Sequence, residues 1–163
     1  MPPEATVPIP RIWKLRFEPH DVLLYCKQTE PPVDIRYIAH KLGIDVREIE
    51  DPGWAAAAKR VDVRRVIWVP KTAVELRKRF AIAHMLGHMI HRPVKEVFVE
   101  KDFQDKTKDE QKANQFTSEL LVPKAMLVTQ LVRVGPKRAL LADAFQVSET
   151  LLETRLEAFQ ACL

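Results

Sequence analysis

His84 and His88 stand four residues apart in the stretch RFAIAHMLGHMIH at 79–91. On a helix, side chains at i and i+4 lie one above the other, about 6 Å apart at Cβ. That spacing lets two imidazoles bind one Zn²⁺ at about 2.1 Å each. Zinc needs at least one further protein ligand, and a carboxylate on a following helix is a common source. Glu110 opens such a helix, and Asn114 sits one turn later on the same face. Glu119 further along, and His91 just past His88, are rival donors. His91 also reads simply as an end-of-helix histidine that eases the helix dipole. Paired histidines occur as ordinary core or surface residues too, so the pair alone does not establish a metal. Between them stands Met85, whose thioether neither takes nor gives a proton.

Helices must carry these groups, and the sequence supplies them. Residues 75–90 repeat Leu76, Phe80, Ala83 and Gly87 at helical spacing, and Pro93 closes the run. Residues 108–121 form a second helix, bounded by Pro123. Upstream, residues 20–28 read as a short helix entered through Pro19, and 34–42 as a clearer one ended by Gly43. Residues 44–49 alternate apolar and charged, as a half-buried strand does. A turn at Asp51-Pro52-Gly53 leads to a second strand at 54–60, and RVIWV at 65–69 is a third. Residues 94–106 read as a loop-like connection with a short apolar stretch at 97–99. Helices at 124–134, 138–145 and 149–159 complete the chain. The expected class is α+β, a small three-stranded sheet packed on the histidine helix, with a helical last third at 124–163.

RFAIAHMLGHMIH together with EQKANQFTSELLVP at 110–123 resembles the ImmA/IrrE family of zinc metallopeptidases. The family pattern is R-F-T-[IV]-A-H-E-L-G-H, then E-x-x-A-N-x-F-A-x-x-L-L-M-P. PPVDIRYIAHKLGIDV and LLADAFQVSETLLETRL also look like the family's N-terminal and C-terminal segments, so the resemblance covers roughly residues 19–160. It implies a zincin-like core in one domain over 19–163; the prolines of MPPEATVPIP make 1–18 read as an extended arm before it. It makes His84, His88 and Glu110 the zinc ligands and Asn114 an orienting group. It further implies a regulator in stress or mobile-element control whose partner is a helix-turn-helix transcriptional repressor, cut in active members. The departure is Met85, where the family has the glutamate that acts as general base on the attacking water. Losing that base typically costs about 10²–10⁴-fold, so hydrolysis is expected to be lost or strongly impaired. Glutamate at 85 is the change expected to restore it. The alternative is a non-catalytic binding module that grips its partner without cleaving it.

Bulk properties exclude other classes. The composition, 47% hydrophobic and 29% charged, is that of a globular chain. No apolar run is long enough to cross a bilayer, and no charged-then-apolar segment opens the chain. Cys26 and Cys162 are too few for a disulfide framework or a Cys-rich zinc site, and the cytoplasm is the expected compartment. Between 59 and 79, eight basic residues oppose Asp62 and Glu75, yet such a run is most simply a solvated face. Residues 141–156 have the rhythm of a helix-turn-helix with Ser148 as a cap. From 140 to 163, however, four acids face the single Arg155, which disfavours direct nucleic-acid binding. Leu140, Leu151, Leu152, Leu156 and Phe159 are instead expected to pack on the core.

Overall fold

The computed structural model describes residues 17–61, 64–92 and 95–161. The arm expected at 1–18 therefore lies almost wholly outside the described residues, as do Pro93 and Cys162. Two short helices, α1 (Pro19–Tyr25) and α2 (Ile35–Lys41), lead into β1 (Ile44–Ile49), β2 (Ala56–Val61) and β3 (Arg64–Pro70). The long helix α3 (Glu75–His91) follows, then β4 (Val97–Glu100) and α4 (Lys108–Leu121). Three helices end the chain: α5 (Lys124–Val134), α6 (Arg138–Phe145) and α7 (Glu149–Gln160). The class is α+β.

The sheet has four strands, not the three expected, in the order β1-β3-β2-β4. The stretch read as part of a loop is β4, which pairs antiparallel with β2 so that Ala56 faces Glu100 and Ala58 faces Phe98. β1 runs parallel to β3, while β2 runs antiparallel to it, which makes the sheet mixed. Four residues are too few to declare a strand by composition, but VFVE alternates. Phe98 and Glu100 are buried, whereas Val97 and Val99 are exposed. The alanines of β2 are similarly explained by packing. Ala56 and Ala58 are fully buried with Ile67 and Val69 of β3 in one core with α3, and methyl groups let a helix approach a sheet closely.

That close approach buries α3 on nearly every side, from Ala81 through Met89. The helix therefore lacks a strong apolar stripe, because sheet and α4 cover it from different directions. Lys78, almost buried, reaches β1 through a 2.9 Å bond to Glu48, which also pairs with Arg36 of α2 at 2.8 Å. The Lys78 hydrogen bond is the main cause that holds the Glu48 carboxyl below its ordinary value.

The C-terminal third is fastened by two arginines. Arg79 of α3 donates to the Gln146 and Phe145 carbonyls at 3.0 and 3.3 Å, capping α6 at its left-handed turn. Arg155 of α7 donates to the Val122 carbonyl at 2.9 Å, just past α4. Ser148 caps α7 by accepting from the Leu151 N–H. Leu152 is buried, with Leu151, Leu156 and Phe159 packed partly against the core. Leu140 is half exposed, contrary to expectation, and Leu141 takes the inward position.

Candidate metal centre

α3 and α4 share the largest helix interface, and the polar cluster sits where they meet β4. Gly87 sets how near α4 can come: a Cβ there would stand 3.1 Å from the Phe116 ring. The i, i+4 geometry of α3 brings the His84 and His88 Nε2 atoms to 3.1 Å. Each ring is steadied by aromatic neighbours. Phe80 stacks on His84 with centroids 5.6 Å apart, and Phe98 stacks on His88 at 5.4 Å.

Glu110 enters from the first turn of α4. Thr107-Lys108-Asp109-Glu110 has the form of a capping box, in which Glu110 would reach back to the Thr107 N–H. Half of that box forms: the Thr107 hydroxyl accepts from the Glu110 N–H, but Asp105 accepts from the Thr107 N–H. The Glu110 carboxylate is thereby free to turn inward, where its two oxygens lie 3.0 Å from His84 Nε2 and 2.9 Å from His88 Nε2. The helix N-terminus favours a negative charge there.

A fourth group joins them that sequence reasoning passed over. Glu100 of β4 places Oε1 at 3.3 Å from His88 Nε2 and 3.8 Å from His84 Nε2. All four residues are buried, and their candidate ligand atoms lie within 4.8 Å of one another. The signal that could have found Glu100 is the alternation of VFVE, which aims an acid inward beside an aromatic residue. Glu119 and His91 stay outside the cluster. Glu119 accepts from Gln115, and His91 meets the Phe116 ring edge-on at 5.7 Å.

The electrostatics suit a cation. Burial first, and then the neighbouring His88, lower His84 to about 4, and burial likewise lowers His88. Near neutral pH both rings are uncharged and present lone pairs. Burial, a hydrogen bond with Glu110 and the Glu110 charge push the Glu100 carboxyl up to about 8. Two buried carboxyl groups and two neutral imidazoles thus converge with no positive side chain among them; Glu100 holds a proton near neutral pH, and a divalent ion would displace it and be matched by this donor set. The 3.1 Å between Nε2 atoms approaches the edge of about 3.4 Å expected for a tetrahedron of ligands about 2.1 Å from zinc. Asn114 lies close enough to favour the protonated form of His84. It makes no hydrogen bond to Nδ1, which is buried and unpartnered. Met85, between the histidines, is fully buried and belongs to the apolar core.

The sequence model of the IrrE N-terminal-like domain, Peptidase_M78, matches residues 39–157. The chain belongs to this family. The match spans the sheet, both site helices and most of the helical third, so the M78 assignment covers every residue of the cluster. Among curated proteins none matches the chain. M78 membership carries a metallopeptidase-like fold, and the buried His84, His88, Glu100 and Glu110 group could hold a metal ion in it. Among the described residues no helix is long and apolar enough to cross a membrane.

Proposed function

We propose that this M78 chain is a cytoplasmic, zinc-binding regulator with a zincin-like core over residues 19–163 that grips a helix-turn-helix transcriptional repressor. Its setting is stress or mobile-element gene control, and its peptide-bond hydrolysis is lost or strongly reduced. His84, His88 and Glu110 hold the zinc, and Asn114 would orient His84 if its side chain turned to the unpartnered Nδ1. The observation that carries the reading is Met85, fully buried one residue after the first metal-binding histidine. A bound zinc supplies Lewis acidity, polarising a carbonyl and lowering the pKa of water to about 7. The general base is what the chain itself must provide, and a thioether cannot act as one.

Partner engagement needs no such base. β4 lies at one edge of the sheet, and among the described residues it pairs only with β2. An extended partner segment can add to that edge through backbone hydrogen bonds. Beside it opens a cleft of ≈ 320 Å³ lined by His88, Phe98, Glu100 and Glu110 together with Arg92, Lys95 and Lys101. The test mixes the zinc-loaded chain with a candidate helix-turn-helix repressor. The expected outcome is a stable complex in which the partner stays intact. Efficient, chelator-sensitive cleavage by the Met85 form would overturn the reading.

Direct nucleic-acid binding is not part of this function. Within the basic stretch, Lys71 pairs with Glu50, Lys78 with Glu48 and Arg60 with Glu96, and Arg79 is spent on α6 carbonyls. Such pairing leaves a weaker field for phosphates.

A further inference from the structure

Glu100 stands at the metal cluster without a role in the reading above. Two places are open to a carboxylate there. It could stand off from the ion as a substitute proton acceptor, or it could take a ligand position itself.

Distance and backbone placement together favour the second. Seen from the two imidazole nitrogens, Glu110 oxygens lie at 3.0 and 2.9 Å, and the Glu100 oxygen at 3.8 and 3.3 Å. These straddle the edge of about 3.4 Å expected between donors on one tetrahedral zinc. The Glu100 oxygen is the most distant of the four donors, yet its 3.3 Å to His88 Nε2 matches that tetrahedral edge.

The backbone fixes it there. Glu100 is the last residue of β4, in register with Ala56, and its carbonyl accepts from the Ala55 N–H at 2.8 Å. Its neighbour on the inward face, Phe98, is the ring stacked on His88. A donor carried by a paired strand needs little rearrangement to bind.

We infer that Glu100 is a fourth protein ligand, so that His84, His88, Glu100 and Glu110 close the metal site with two imidazoles and two carboxylates. Zinc sites with four protein ligands are structural, whereas catalytic sites keep a position open. Two carboxylates also match the charge of a divalent ion. The inference rests on the proposed metal centre and deepens it: the chain lacks a free coordination position as well as a base. Glutamate at 85 alone therefore restores no cleavage. The Met85→Glu change needs Glu100→Ala beside it.

Cobalt(II) makes the distinction visible, because its absorption reports ligand number and exchange. The full chain is loaded with Co²⁺ and titrated with azide, with Glu100→Ala and the near-isosteric Glu100→Gln measured alongside. The expected result is a tetrahedral Co²⁺ spectrum in the unaltered chain that azide does not change. In Glu100→Ala the Co²⁺ affinity should fall at least about 10-fold, the lower end for disturbing a metal site's supporting residues, and azide should shift the spectrum. Azide binding to the unaltered chain, or unchanged Co²⁺ affinity in both variants, overturns the inference while leaving the metal centre intact. Failure of the folded, unaltered chain to bind Co²⁺ overturns the metal centre itself, and the inference with it.

Discussion

At position 85 the contest is between packing and chemistry, and packing has the residue. Met85 is wholly buried, and a methionine fills such a site without a charge to satisfy. A glutamate in the same surroundings must keep its carboxylate near a cation or take up a proton. Met85→Leu should therefore keep stability within about 1.5 kcal/mol and leave zinc content unchanged, whereas Met85→Ala should cost about 2–5 kcal/mol. Urea denaturation and elemental analysis of the same samples check both. Cys26 makes a second case. It is buried in the core, and that burial raises its thiol from 9.0 to about 11, partly offset by Lys41. Below pH 9 the thiol is neutral in both states and contributes no slope. Between about 9 and 11 the unfolded chain loses a proton that the folded chain keeps, so stability falls as pH rises through that window. Comparing Cys26→Val with the unaltered chain at pH 8 and pH 10.5 should show a steeper loss in the unaltered chain. Parallel pH curves would remove the thiol as the cause.

Among the elements, the pairing of α3 with α4 decides whether the donors meet. Gly87 lies at their closest approach, with three Phe116 side-chain atoms at 3.1, 3.3 and 3.3 Å from a would-be Cβ. Gly87→Ala gains about 1 kcal/mol of helix propensity but overpacks a rigid contact at about 1–3 kcal/mol. A net loss of about 1 kcal/mol is expected, with weaker zinc binding as α4 is pushed away from α3; calorimetric titration with zinc measures it. Equal or tighter zinc binding would show that the glycine is not a spacer. These two helices were legible in the sequence because local signals agree. His84 and His88 share a face by spacing, the apolar repeat runs through both helices, and Pro123 ends α4. β4 was not legible, since four residues between a helix and a charged loop carry no composition that demands a strand. Glu100 inherits that difficulty: its inward aim depends on pairing with β2, far away in sequence. Leu140 was misplaced for a related reason, because a one-residue rotation of α6 swaps it with Leu141.

On the scale of the whole molecule, the helical third and the metal site both lean on α3 and α4. Arg155 links α7 to the end of α4, and Arg79 links α3 to α6. A charged hydrogen bond of this kind contributes about 1.5 kcal/mol or more. Arg155→Ala should lower the unfolding free energy by about that amount in denaturant titration, with no change in zinc stoichiometry. A loss of zinc would mean that the C-terminal helices hold the site rather than merely cover it. Metal in turn stabilises the whole fold by mass action. Free zinc at about 1,000 times its Kd adds about 4 kcal/mol, a rise of about 10 °C in Tm for a domain of this size. Adding a chelator should reverse it. The central claim, that His84, His88 and Glu110 hold a metal ion, is tested most directly by the zinc content of the purified chain beside His88→Ala and Glu110→Gln. All three must be checked for native helicity by circular dichroism. The account predicts about one zinc per chain in the unaltered protein and a severe loss in both variants. Full zinc retention in both variants, or a well-folded unaltered chain that takes up no zinc, would contradict it.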